Sequence, residues 1–372
     1  GERNSTHLSW AWEILAHRYK GRHRRFLREE EARTGQVLDT FLVAKGEGMR
    51  LLIALGGNAI KQAHEEGSTA EQFANCKVTT KLIAEIVKKM RPDDRLAITH
   101  GNGPQAGNLL VQQEMGKERI PAQAMDVVGA MTQGQIGYML QQTLMNYLTD
   151  MGTIMPVCAV VNQVLVNKDD PEFFGDTASK PVGNFFTEEE AEQLKREHPE
   201  YIVKKVKPNG EKTWRRTVPS PDPIANVEAE AIKRMVDAGI IVIASGGGGI
   251  PVVRDAQGRY VGMEAVIDKD LAGERFAEVI NADEFLVLTD VEVVKLDYGQ
   301  PDEKPIFKMT LTEAKRYSDQ GHFLAGSMGP KVRACIRFLE WGGKRAVITS
   351  LDRAVAALAG ETGTHIVKDE VK

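Results

Sequence analysis

Residues 50–58 read Arg50-Leu51-Leu52-Ile53-Ala54-Leu55-Gly56-Gly57-Asn58. Five apolar residues in a row fit a strand buried on both faces and are too few for a helix. Gly56 and Gly57 then let the backbone turn sharply and leave its N–H groups uncovered by any Cβ. A helical pattern follows, so the strand opens into a turn where amides can converge on an anion. The arrangement recurs where Leu96-Ala97-Ile98-Thr99-His100 runs into Gly101-Asn102-Gly103-Pro104. Two such strands, each followed by a helix, predict a shared anion site at the carboxyl edge of one sheet.

From Met49 onward, short apolar strands alternate with longer helical patterns, which indicates the α/β class. The pattern predicts helices over 69–90, 125–148, 225–238, 269–280 and 328–341. Further strands are expected over 156–161, 240–244, 285–289 and 345–349. Met125, Met131, Met139 and Met145 form a stripe that reads as core or dimer packing. Residues 162–223 are polar and loop-rich, with alternating segments at 201–206 and 212–218 around the turn Pro208-Asn209-Gly210. Plain loops of that length are rare, so a small inserted subdomain, a lid over the main sheet, is expected there.

The chain has 372 residues, enough for a full core, with a net charge of −4 and a pI near 6.1. Nothing in that balance calls for nucleic acid or an anionic membrane as partner. Apolar runs fall far short of the ~20 residues a spanning helix needs. Cys76, Cys158 and Cys335 are too scattered for a disulfide framework or a zinc site and fit a reducing cytoplasm. Residues 1–48 differ from the rest, with Trp10, Trp12 and a cluster of arginines and lysines; the first methionine is Met49. They are expected to be a non-native or accessory extension, with the working domain at 49–368 and a short tail at 369–372.

A third glycine turn, Gly246 to Gly249, again follows an apolar strand. Three such turns on strand ends point to phosphate or carboxylate ligands. None fits the P-loop pattern, and none has the glycine spacing of a nicotinamide dehydrogenase. Lys269 and Lys331 stand at probable helix starts, and Lys180 lies in the inserted segment at Ser179-Lys180-Pro181. A lysine in a helix's first turn opposes the macrodipole unless it serves an anion. Phosphoryl transfer needs this equipment: positive charge around the moving group, amides at its ends, and little covalent chemistry from the protein. Asp268 and Asp270 are placed to orient Lys269, or Asp270 to cap its helix. His100 and His322 read as structural. No metal ligand set stands out.

Five motifs occur in order: Leu55-Gly56-Gly57-Asn58-Ala59, His100-Gly101-Asn102-Gly103-Pro104-Gln105, Gly246-Gly247-Gly248-Gly249-Ile250-Pro251-Val252, Ile267-Asp268-Lys269-Asp270-Leu271-Ala272 and Ala325-Gly326-Ser327-Met328-Gly329-Pro330-Lys331. Together they closely resemble the carbamate kinases of the amino acid kinase family, over residues 49–368. The resemblance implies a three-layer sandwich around a mostly parallel central sheet, with a protruding subdomain at Lys180-Pro181-Val182-Gly183. It implies reversible phosphoryl transfer between ATP and carbamate, giving ADP and carbamoyl phosphate, with Mg2+. By similarity, Gly56, Gly57, Asn58, Gly101, Asn102 and Gly103 would hold the small substrate, with Gly247 and Gly248 of the third turn beside them. Lys269 and Lys331 would neutralise the transferring group, Lys180 would reach it from the lid, and Asp270 would hold Lys269. The nucleotide would lie near Thr289, Asp290, Val291, Met328 and Gly329, with Lys331 shared between the two roles. The resemblance also implies a cytoplasmic homodimer acting in arginine breakdown. Two rivals stand beside this reading: another acyl-phosphate-forming kinase of the same fold, and a catalytically silent nucleotide-binding regulator. A larger acid would need an arginine for its second carboxylate, and the sequence does not place one.

Overall fold

The computed structural model describes residues 48–57, 65–323 and 327–369. The extension read at 1–48 lies outside the described residues except for Gly48, and Asn58 and residues 370–372 lie outside them too.

The first half carries strand β1 (Arg50–Leu55), helix α1 (Thr69–Lys89), strand β2 (Arg95–His100), helices α2 (Gly103–Gly116) and α3 (Met125–Asp150), and strand β3 (Val157–Ala159). Strand β4 (Gln163–Val166) leads into the inserted region, with β5 (Lys180–Phe186), α4 (Glu188–Glu197), β6 (Ile202–Lys205) and β7 (Trp214–Val218). The chain returns through β8 (Pro223–Asn226), α5 (Ala229–Asp237), β9 (Ile241–Ile243), β10 (Ile250–Arg254) and β11 (Tyr260–Gly262). Helix α6 (Lys269–Val279) and strand β12 (Glu284–Thr289) follow, then the short strands β13 (Val294–Leu296), β14 (Lys304–Ile306) and β15 (Lys308–Thr310). Helices α7 (Leu311–Asp319) and α8 (Met328–Trp341), strand β16 (Arg345–Ser350), helix α9 (Ala354–Leu358) and strand β17 (Thr364–Val367) complete it.

Eight strands form the central sheet in the order β15-β17-β16-β12-β1-β2-β9-β3. Among its described strands only the β16–β17 pairing is antiparallel. β1 lies in the middle, with Ile53 beside Ile98 on one side and Leu286 on the other. Its continuous apolar run follows from burial on both faces. Leu51, Ile53 and Leu55 pack with Cys76, Ile83, Ile136 and Leu140 of α1 and α3. Leu52 and Ala54 join Phe276 and Phe338 of α6 and α8 on the opposite face. The layers are therefore helix, sheet, helix, as expected of the amino acid kinase fold.

Two smaller sheets bear on the site. β11-β10-β4-β8 forms one, and β5-β7-β6 with α4 forms the other, within the segment expected above to be the protruding subdomain. The helix expected over 225–238 begins later, because Pro223–Asn226 pairs antiparallel with β4 and Ala229–Asp237 alone is helical. Asn226 is drawn into that strand by a buried bond from Asn162, whose Nδ2 donates to its Oδ1 at 2.9 Å. Helix α4 starts on a reciprocal cap between Thr187 and Glu190.

Candidate active site

The three glycine turns end neighbouring strands, β1, β2 and β9, so they meet at one sheet edge. A cleft of about 560 Å³ opens above them, its floor set by Gly57, Gly101, Asn102, Gly103 and Gly247. The turns are packed against one another. A Cβ on Gly247 would lie 2.9 Å from Asn102, and one on Gly101 would lie 3.1 Å from the Lys269 stem. Gly248 and Gly56 do not line the cleft; their glycines answer to packing instead. Gly248 has φ +98°, and a Cβ there would come within 2.4 Å of the Ile267 carbonyl oxygen. A Cβ on Gly56 would sit 2.8 Å from the Leu288 carbonyl oxygen of β12. Among the described residues, nothing lies within 4 Å of where a side chain on Gly57 would begin.

The turn before Gly246 is held from below. Ser245 takes the left-handed conformation, φ 53°, with its N–H donating to Asn162 Oδ1 at 2.6 Å and its hydroxyl to Asn226 Oδ1 at 2.7 Å. Gln133 of α3 exchanges two bonds with the Asn162 backbone. All four side chains are buried, so this polar network fixes the third turn. His100 is a neutral strut beneath the second. Burial pushes its pKa down to about 4 despite a bond to the Gly101 carbonyl oxygen, and Lys269 pushes the same way.

One carboxylate joins the two expected catalytic lysines. Asp270, almost wholly buried, receives Lys269 Nζ on Oδ1 at 2.5 Å and Lys331 Nζ on Oδ2 at 3.3 Å. Lys331 also donates to the Ser327 carbonyl oxygen at 3.2 Å. Both ammonium groups thus face one cleft from the first turns of α6 and α8. The third lysine comes from the protruding sheet: Lys180 Nζ donates to Asp268 Oδ2 at 2.9 Å. Asp268, rather than Asp270, is the N-cap of α6, its Oδ1 accepting from the Asp270 and Leu271 amides, because Asp270 already lies inside the helix's first turn. Burial works against its charge, but Lys180 first, with Lys269 and the helix amide, outweighs it and holds the pKa down at about 2. In the sequence Asp268 stands beside Lys269 as a group that orients it; its bond to Lys180 spans 88 residues and has no local signature.

The connections to the protruding sheet are stitched together. Glu172 Oε2 accepts from the Ser179 amide and hydroxyl and from the Ser220 amide, each at 3.0 Å. Asp170 Oδ2 accepts from the Asp222 amide, and Asp222 pairs with both nitrogens of the Arg337 fork on α8. From this sheet Pro181, Val182, Gly183, Asn184, Phe185 and Arg215 also line the cleft. No motif in the sequence marks Asn184, Phe185 or Arg215. Thr289, Asp290, Val291, Met328 and Gly329, expected to meet a nucleotide, stand at the carboxyl end of β12 and the start of α8 and do not line this cleft.

A three-layer α/β fold with clustered glycine turns and paired lysines at one strand edge defines a phosphoryl-transfer scaffold. A model of the amino acid kinase family matches residues 49–350. The carbamate kinase of Thermococcus kodakarensis is 53% identical over 86% of this chain and 99% of its own length. That of Pyrococcus furiosus is 51% identical with the same coverage. Among solved structures, carbamate kinase from Giardia lamblia bound to AMP-PNP superposes with a TM-score of 0.79 at 40% identity, covering 87% of this chain and 99% of that one. The chain belongs to the amino acid kinase family, in its carbamate kinase branch.

Proposed function

We propose that this protein catalyses reversible phosphoryl transfer between ATP and carbamate, giving ADP and carbamoyl phosphate. The observation that carries the reading is the Lys269–Asp270–Lys331 bridge beside the glycine turns. Two ammonium groups held 2.5 and 3.3 Å from one buried carboxylate are preorganised for charge that builds on a phosphoryl group. Carbamate is already an anionic oxygen nucleophile, so the site needs positioning and charge rather than a general base. The amides around Gly57, Gly101 and Gly103 orient it, and the amino-terminal ends of α2, α6 and α8 favour negative charge in the cleft.

Lys180 acts from above, and the nucleotide lies over Thr289, Asp290, Val291, Met328 and Gly329. The relative solved with AMP-PNP supports an ATP site. Magnesium fits as a nucleotide complex held mainly through phosphate oxygens, because Asp268 and Asp270 are already engaged by lysines. When bound it supplies charge neutralisation at the phosphates.

The proposal extends to a cytoplasmic homodimer running toward ATP in arginine breakdown. Among the described helices none is long and apolar enough to cross a membrane. Val78 of α1 and Met131, Tyr138 and Met145 of α3 are exposed apolar side chains that suit a second copy, whereas Met125 and Met139 are core. The direct test is ATP formation from ADP and carbamoyl phosphate in a coupled assay, with acetyl phosphate as control. Carbamoyl phosphate must be the better donor; equal use of both, or of neither, overturns the reading.

A further inference from the structure

Strand β7 carries the doublet Arg215-Arg216, and consecutive strand residues point to opposite faces. Arg216 is satisfied on its face. Its Nη2 donates to Glu264 Oε2 at 2.8 Å and its guanidinium lies 3.8 Å from the Tyr201 ring centroid. Arg215 faces the cleft instead. Its Nη2 donates to the Gly183 carbonyl oxygen at 2.8 Å, and its guanidinium carbon lies 4.8 Å from the Phe185 ring centroid. Among the described residues its buried Nε has no partner. Burial draws its pKa down, and among the described residues no carboxylate offsets it.

The charge balance of the cleft isolates this residue further. Its described lining holds four cations, Lys180, Arg215, Lys269 and Lys331, against two carboxylates, Asp268 and Asp270. Asp268 is taken by Lys180, and Asp270 by Lys269 and Lys331. Arg215 is the lining cation for which the described residues provide no counter-ion. A half-buried guanidinium held rigid by a carbonyl and an aromatic ring, yet left without an anion, is set up for a ligand to complete it.

We propose that Arg215 is a substrate-binding residue, carried on the protruding sheet, whose counter-ion is the phosphate of the phosphorylated substrate. This rests on the phosphoryl-transfer reading above. The planar fork matches phosphate oxygens and adds a fourth positive group, carried on β7 rather than on α6 or α8. The two surplus positive charges of the lining equal the charge of a phosphate dianion.

The test compares wild type with Arg215→Gln and Arg215→Lys. Each is measured for kcat, KM for carbamoyl phosphate, inhibition by inorganic phosphate, and ADP affinity by calorimetry. Arg215→Gln is expected to raise both KM and the phosphate inhibition constant about 10- to 100-fold, the scale of one lost charge-assisted pair. Its kcat should stay within about 3-fold, as for binding shared by ground and transition states, and ADP affinity should be unchanged. Arg215→Lys should fall between, keeping charge and losing the fork. Unchanged KM and phosphate inhibition in either folded variant, or an equal loss for ADP, overturns the proposal. If Arg215→Gln melts well below wild type, Arg215→Lys decides on the same criteria. A wild type that binds inorganic phosphate but makes no ATP would sink the carbamate kinase reading, while the phosphate arm still judges Arg215.

Discussion

Lys180 on β5 and Asp268 at the start of α6 are 88 residues apart in sequence, and their charged atoms are 2.9 Å apart. The same carboxylate caps α6 through its other oxygen. One side chain therefore fixes both the helix that presents Lys269 and the lysine that arrives from the protruding sheet. Asp268→Asn separates the two tasks, since asparagine caps as well as aspartate does. The variant should keep a near wild-type melting temperature while kcat/KM for carbamoyl phosphate drops about 10-fold, from a mispositioned cation. Asp268→Ala should lose a further ~1 kcal/mol of stability with the cap. Chemical denaturation alongside steady-state kinetics checks both, and identical kinetics for Asp268→Asn and wild type would remove Lys180 from the mechanism.

Glycines of similar appearance should differ sharply. Gly248→Ala forces a Cβ to within 2.4 Å of the Ile267 carbonyl oxygen at a left-handed φ, next to the strand-to-helix handover that carries Asp268. Strain and overpacking together should cost about 3 kcal/mol or more. Gly57→Ala meets none of the described residues within 4 Å and should melt like wild type. Its added methyl lines the cleft, so its effect should appear in KM. Similar melting temperatures for both variants would contradict the packing account.

Two buried groups should give the stability opposite pH dependences. His100 has a folded pKa of about 4, below its usual value, so its contribution is complete above pH 6.5 and is lost as pH falls from 6.5 to 4. Glu274, wholly buried on α6, is pushed up to about 8 by burial first and by the Glu278 carboxylate second. It stays protonated in the fold while the unfolded chain ionises, so stability falls as pH rises from 4.5 to 8. Between 4.5 and 6.5 the two oppose each other. Glu274→Gln should therefore gain on wild type by about 1.4 kcal/mol per pH unit across 4.5 to 8 and level off above it. A difference that does not change with pH would show that Glu274 is ionised in the native protein.

Much of this was legible in the chain. The run from Leu51 to Leu55 is buried on both faces because helices cover both, and Lys269 and Met328 begin helices where the sequence said they would. The strands that escaped are short or depend on distant partners. Pro223–Asn226 has no periodicity of its own and becomes a strand by pairing with β4. Helix α4 carries its capping signal in Thr187 and Glu190, set inside a polar stretch with little apolar periodicity. In the site, individual lysines could be picked out by their helix starts, but their sharing of Asp270 could not, because Lys331 lies 61 residues further on. Arg215 was hidden by Arg216: a pair of arginines in a hairpin reads as a solvated edge, although alternation guarantees that they face opposite ways.

Lys269→Ala should lower kcat by roughly 10²-fold, the scale for losing one preorganised charge partner, with ADP affinity much less affected. Equal losses in the two would recast Lys269 as a binding residue.

The central claim is that Asp270 holds Lys269 and Lys331 as one unit around the migrating phosphoryl group. Asp270→Asn keeps the size of the side chain and removes the charge that both lysines share. The decisive measurement is kcat for ATP formation by this variant, set beside its ADP affinity. A fall in kcat of about 10²- to 10³-fold with ADP binding within about 3-fold of wild type is the expected result. A kcat close to that of wild type, in a folded variant, would contradict it.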